Sequence, residues 1–167
     1  MFGQTIGKTM PFGFAGSYSR QPDTIIDSMP LDSASANVPF GMALVPGSGG
    51  TVKLTVAASV AADFVGVAVR EVKTTGYNEV GQYVPGEAVP VIKRGCVNVL
   101  CQNGTPAYDG DVYMRVALNA SYPNAVIGGF EAASDTTNSV KLTNVKWKGA
   151  ADSNGIAEIR ILNSLHA

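Results

Sequence analysis

Apolar residues along this chain recur in short runs with a period of two. Thr51-Val-Lys-Leu-Thr-Val56 sets Val52, Leu54 and Val56 on one face, and Phe64–Val72 sets Val65, Val67 and Val69 on one face against Phe64, Gly66, Ala68 and Arg70 on the other. Such alternation marks half-buried strands. Val38–Val45 is an apolar run stopped by the loop Pro46-Gly-Ser-Gly-Gly50. Glu87–Ile92 and Cys96–Cys101 predict a hairpin that turns at Lys93-Arg94-Gly95, with Gly95 at positive φ. Pro90 cannot donate to a ladder, so its strand is expected at an edge or with an irregular start. Asp111–Leu118, Ala125–Phe130, Val140–Lys146 and Ile156–Leu162 follow, the last with Ile159 and Ile161 inward and Glu158 and Arg160 outward. Only Val56–Asp63 offers a short helix, and it reads equally as a loop. About nine strands separated by turn signals predict an all-β chain, a single β-barrel or sandwich-like domain over residues 38–167.

Residues 1–37 are different. Gly3, Gly7, Pro11, Gly13, Gly16, Pro22 and Pro30 interrupt them, and Phe2, Phe12, Phe14 and Tyr18 are irregularly spaced. A structureless segment of this length is unusual inside a compact domain, and this one is too apolar for a simple linker. It is expected to be an extended arm, with a reach on the order of 120 Å, whose aromatics bury against a partner. Folding back onto its own domain is the alternative. The candidate partner contacts are Phe2, Phe12, Phe14, Tyr18, Arg20, Ile25 and Ile26.

Composition sharpens this picture. Among 167 residues there are 20 Val and 8 Leu, a balance that favours pleated sheet over helix. Charged residues are 15% of the chain and the net charge is -1, with 12 Lys and Arg against 13 Asp and Glu. That balance argues against a nucleic-acid binder, which needs clustered positive charge. The longest uncharged stretch, Ser33–Val52, holds two prolines and a glycine cluster and cannot be a spanning helix, so no membrane partner is expected. A surface this poor in charge is expected to be covered. Cys96 and Cys101 lie on opposite faces of one strand, roughly 16 Å apart, too far for a disulfide, which fits assembly in a reducing cytoplasm.

Little in the chain points to catalysis or to a cofactor. Gly3-Gln-Thr-Ile-Gly7-Lys8-Thr9 is one residue short of a phosphate-binding loop and has no strand before it. His166 is the only histidine, which excludes His-based triads and multi-histidine metal sites. Asp109-Gly-Asp111 opens a strand rather than a calcium loop. Glu71, Glu79 and Glu87 show no sign of converging, and Trp147 between Lys146 and Lys148 reads as a strand-end core anchor or an intersubunit contact. No enzyme, metal or cofactor is expected.

Several phrases carry a resemblance when taken in order: Ile25-Ile-Asp-Ser28, Val38-Pro-Phe-Gly-Met-Ala43, Phe64-Val-Gly-Val-Ala68, Tyr83-Val-Pro-Gly-Glu87, Val89-Pro-Val-Ile-Lys-Arg-Gly95 and Asp109-Gly-Asp-Val-Tyr113. From about Gly16 onward the chain resembles the capsid cement (decoration) proteins of tailed bacteriophages. The resemblance implies a structural virion protein on the outer capsid surface, assembled in the host bacterial cytoplasm. It further implies the major capsid protein as partner, clamping of subunit seams, and homo-oligomers, trimers before dimers. Gly41, Gly66, Gly86, Gly95 and Gly110 are then structural turn positions rather than ligands. The competing reading is a β-sandwich binding module for carbohydrate or host surface.

Overall fold

The computed structural model describes residues 11–71 and 81–163. Eleven strands are present among them: β1 (Tyr18–Pro30), β2 (Val38–Pro39), β3 (Ala43–Pro46), β4 (Val52–Leu54), β5 (Gly66–Ala68), β6 (Gln82–Tyr83), β7 (Ala88–Leu100), β8 (Asp111–Arg115), β9 (Phe130–Glu131), β10 (Ser139–Trp147) and β11 (Ile156–Ile161). The one helical element among the described residues is a 3-10 turn, Ala61–Asp63, inside the segment that read equally as helix or loop. The main sheet is antiparallel, in the order β4-β3-β5-β7-β11-β10-β8-β9, with β1 also paired to β7. It curls strongly into a half-barrel. β2 and β6 form a separate small ladder.

The core lies inside the curl, where the alternating positions converge. Val97, Val99, Ile159, Ile161, Val145, Trp147, Val112 and Met114 all belong to one buried cluster. Phe64 and Phe130 meet edge-on there, with centroids 6.3 Å apart. Trp147 closes β10 as the largest fully buried side chain, in keeping with a strand-end anchor. A second cluster joins Leu31, Val38, Leu44, Val52, Val89 and Val91 beneath the small ladder.

Three expectations are corrected. The hairpin at Lys93-Arg94-Gly95 does not form; β7 runs through these residues as one 13-residue strand. Gly95 does take the positive φ, +119°, but it bends the strand instead of reversing it, and a Cβ there would sit 2.6 Å from the Asp23 carbonyl oxygen. Pro90 is therefore in the central strand, between Ser28 and β5, where its carbonyl still accepts the Val69 N–H at 2.9 Å. Of Ala125–Phe130 only Phe130 is strand, because successive turns place Gly128 against β3.

The region before residue 38 is divided. Tyr18–Pro30 pairs with β7 along Val97 to Ala88, with register shifts after Tyr18, Arg20 and Ile25. The segment 11–17 is irregular. Among the expected turn glycines, Gly41 and Gly86 have φ of +81° and +86°. Gly110 falls in the turn before β8, while Gly66 stands within β5, where a Cβ would lie 2.3 Å from the Ile92 carbonyl oxygen. Phe2, the Gly3–Thr9 motif, Glu79 and His166 lie outside the described residues.

Candidate functional site

The outer face of β7 and β11 carries polar side chains where the inner face carries the core. Cys96 and Asn98 on β7 and Glu158 on β11 are all nearly buried on that face. β1 covers Cys96 and Glu158, with Arg20 paired opposite Cys96 and bonded to Glu158, and the segment before β1 covers Asn98. Gly16 N–H donates to the Asn98 carbonyl at 2.8 Å, and Asn98 N–H donates to the Ser17 carbonyl at 2.8 Å. Asn98 Nδ2 then donates to the Phe12 carbonyl and to Ser17 Oγ, each at 3.0 Å. Phe12 N–H donates to Asp152 Oδ2 at 2.9 Å. The root of the N-terminal segment is thus tied down chiefly by its backbone, and the rings of Phe12 and Phe14 stay partly exposed.

The chain turns tightly from Phe14 to Ser17, whose hydroxyl donates to the Phe14 carbonyl at 2.8 Å. Gly16 makes this possible at φ +86°, since a Cβ there would meet Phe40 Cβ at 2.8 Å and Gly41 N at 2.9 Å. The Arg70 guanidinium lies 5.2 Å from the Phe14 ring centroid and 6.0 Å from that of Phe40. Such stacking orients a ring without burying it. Phe12, Phe14 and Tyr18 remain 36%, 45% and 38% exposed.

Arg20 grips Glu158 with both ends of its guanidinium, Nε to Oε1 at 2.6 Å and Nη2 to Oε2 at 3.1 Å. Burial works to raise the Glu158 pKa, but hydrogen bonds from Arg20, Ser19 and Cys96 outweigh it and hold the carboxyl below its ordinary range. The same burial, with the bond to Glu158, pushes the Cys96 thiol up to about 11. Cys96 and Cys101 are both free thiols.

The residues expected to touch a partner therefore separate. Phe12, Phe14, Tyr18 and Ile25 present exposed surface; Ile26 packs against the main core; Arg20 is engaged within the chain. Asn98, Asp152 and Arg70, which set the geometry, were not among the expected residues. A lone Asn inside the apolar run Cys96–Cys101 was the one signal for the first of them. Asp111 accepts from Lys141 at 2.5 Å and Lys146 at 2.8 Å, so its carboxylate is committed to two ammonium groups. No cluster of three or more metal-ligating side chains occurs among the described residues. No helix among them is long and apolar enough to cross a membrane.

A curled β-domain with polar ties and outward aromatics describes a structural binding protein. The chain belongs to the structural cement protein family (E217 gp24/Pam3 gp6), whose family model matches residues 2–162. It is a phage capsid component, a cement protein and not an enzyme. A chain of the solved structure "The capsid of Myoviridae Phage XM1" has the same fold, with a TM-score of 0.69, 17% identity, and 98% of each chain covered. No curated protein is similar to it in sequence. As a capsid component it binds the major capsid protein.

Proposed function

We propose that the protein sits on the outside of the capsid shell as a homo-oligomer, a trimer before a dimer. In this reading the segment before β1 lies across a seam between major capsid subunits. The observation that carries it is the pairing of a fixed backbone with partly exposed rings. Asn98 and Asp152 hold the main chain at Phe12, while Phe12, Phe14 and Tyr18 keep a third or more of their surface exposed. An anchored root lowers the ordering entropy of binding, and aromatic anchors supply much of the energy at protein interfaces. Many copies with several modest contacts each resist detachment through multivalency.

The test is co-sedimentation of the purified protein with shells of the major capsid protein. The variant Phe12→Ala/Phe14→Ala/Tyr18→Ala is expected to fold normally and to bind at least about ten-fold more weakly. Equal binding by this variant would remove the seam-clamp mechanism.

A further inference from the structure

From Val116 to Phe130 the chain carries no charged residue, yet both ends of this stretch are charged and buried: Arg115 precedes it and Glu131 follows it. Arg115 Nε donates to Glu131 Oε1 at 2.5 Å, Arg115 Nη1 donates to the Ala117 carbonyl at 3.0 Å, and Nη2 lies 2.9 Å from Asp135 Oδ2. Asn119 Nδ2 donates to both oxygens of Asp135, at 2.8 and 3.0 Å. The Tyr122 ring lies 5.7 Å above the Arg115 guanidinium. Between these ties the loop makes successive turns, Tyr122 N–H to the Asn119 carbonyl and Ala125 N–H to the Tyr122 carbonyl.

A buried ionic cluster is an expensive way to stabilise a fold, and apolar residues of similar volume would serve as well or better. What this cluster does is hold a loop in one shape. The loop so held presents Leu118 at 70% exposure, Val126 at 44% and Tyr122 at 39%. Apolar groups kept rigid in water are preorganised for contact, since little ordering entropy remains to be lost on binding.

We propose that the loop Ala117–Val126 is a second contact of this protein with the shell, docking on an uncharged, apolar patch of a major capsid subunit. This rests on the shell-binding reading above but not on the N-terminal segment. The chemistry of the partner follows from charge complementarity. A loop with no ionised side chain has nothing to pair a partner's charge, and burying an unpaired charge is strongly unfavourable. The buried Arg115 is a positioning residue, reaching the contact only through Ala117, Tyr122 and, by way of Asp135, Asn119.

Four proteins distinguish the possibilities in the shell co-sedimentation experiment: the wild type, the triple aromatic variant, Leu118→Asp, and Asn119→Ala. Leu118 and Asn119 are not buried, so both variants are expected to fold. Leu118→Asp is expected to weaken binding by about ten-fold or more, with the oligomeric state in solution unchanged. Asn119→Ala is expected to weaken it less and to raise amide exchange over 117–126 only. Wild-type-like binding by Leu118→Asp overturns the proposal. So does a fall in oligomeric state, which would make the loop a contact between copies. Failure of the wild type to bind shells would instead overturn the parent reading.

Discussion

Arg20 and Glu158, 138 residues apart in sequence, form a two-bonded ion pair in which the carboxylate is buried and the guanidinium side chain is 65% exposed. The asymmetry decides what the pair is worth. Arg20 loses little if released to water, but Glu158 loses the donor that makes its burial tolerable. Arg20→Ala is therefore expected to destabilise the domain by about 2 kcal/mol, the cost of a buried charged acceptor left short of a partner. Arg20→Lys should recover part of it, since an ammonium cannot bond both oxygens in one plane. Urea denaturation of the three proteins, at unchanged m-value, measures both effects. A loss under about 0.5 kcal/mol for Arg20→Ala would show that Ser19 and Cys96 satisfy Glu158 unaided.

Gly95 is where the second substitution tells most. Its φ of +119° disfavours any side chain, and a Cβ there would meet Asp23 O at 2.6 Å and Thr24 Cα at 3.1 Å. Strain of this kind costs about 1–3 kcal/mol, and the backbone collision adds to it. Gly95→Ala should lower the thermal midpoint and loosen β1 first, because the obstruction lies between β7 and β1. Limited proteolysis should then cut within residues 18–30 of the variant but not of the wild type. A variant as stable and as resistant as wild type would mean that the strand bends without help from this glycine.

The two halves of the chain differed in how far they could be read, and the difference has a physical cause. Alternation reports burial of one face, so β10 and β11, with Val145, Trp147, Ile159 and Ile161 against the core, were legible. β1 has no fully buried side chain among those described, so it leaves no period in the sequence. It is held instead by backbone pairing to β7 and by ion pairs: Lys93 with Asp27 at 2.8 Å, Arg94 with Asp23 at 2.8 Å, and Arg160 with Asp23 at 3.1 Å. Partners of that kind are set by register, which no local pattern encodes. Gly95 was legible as a positive-φ position but not as a bend, because a turn and a bulge ask the same of glycine. For the candidate site, the aromatics at Phe12, Phe14 and Tyr18 stood out by their irregular spacing among glycines and prolines. Their anchoring by Asn98 and Asp152 was not, since each bond joins residues 86 or more apart.

Asp32 organises the loop after β3. Its carboxylate accepts from Ala34 N–H, Ser48 N–H and Ser48 Oγ, each at 2.9 Å, and from Thr51 Oγ1 at 3.0 Å. The backbone donors of Ser48 and Ala34, then the hydroxyls, hold its pKa well below the ordinary carboxylate range. A depressed folded pKa gives stability that is complete above the unfolded value, about pH 4, and lost as pH falls below it toward the folded value. Glu158, Asp23 and Asp111 are shifted the same way. Burial raises the Glu131 pKa, which opposes them. Stability should accordingly be flat near neutrality and fall below about pH 4. Asp32→Asn should make that fall shallower while lowering stability at pH 7. An unchanged acid limb in a denaturation series from pH 2 to 7 would exclude Asp32 as a contributor.

The thiols provide a check on the packing of the outer face that needs no capsid. Cys96 is buried beside Glu158, with its pKa pushed up to about 11 chiefly by burial, and burial also raises that of Cys101. The thiolate is the reactive form, so at pH 8 both should be slow toward iodoacetamide relative to a free cysteine. Cys96 carries the sharper expectation, because Arg20, which pairs opposite it and bonds Glu158, follows directly on the segment that Asn98 ties down. Asn98→Ala removes the side-chain bonds to the Phe12 carbonyl and Ser17 Oγ while leaving the backbone bonds to Gly16 and Ser17 in place, and should speed alkylation of Cys96 by an order of magnitude or more, roughly the factor a local opening of 1–2 kcal/mol would produce. Cys101, which bonds the carbonyl of Asn103 at 3.4 Å on the far side of the strand, should be unaffected. Mass-spectrometric labelling of the native protein separates the two sites. Equal acceleration at both would mean global rather than local loosening, and no acceleration at either would mean that the Asn98 side chain does not hold the N-terminal root.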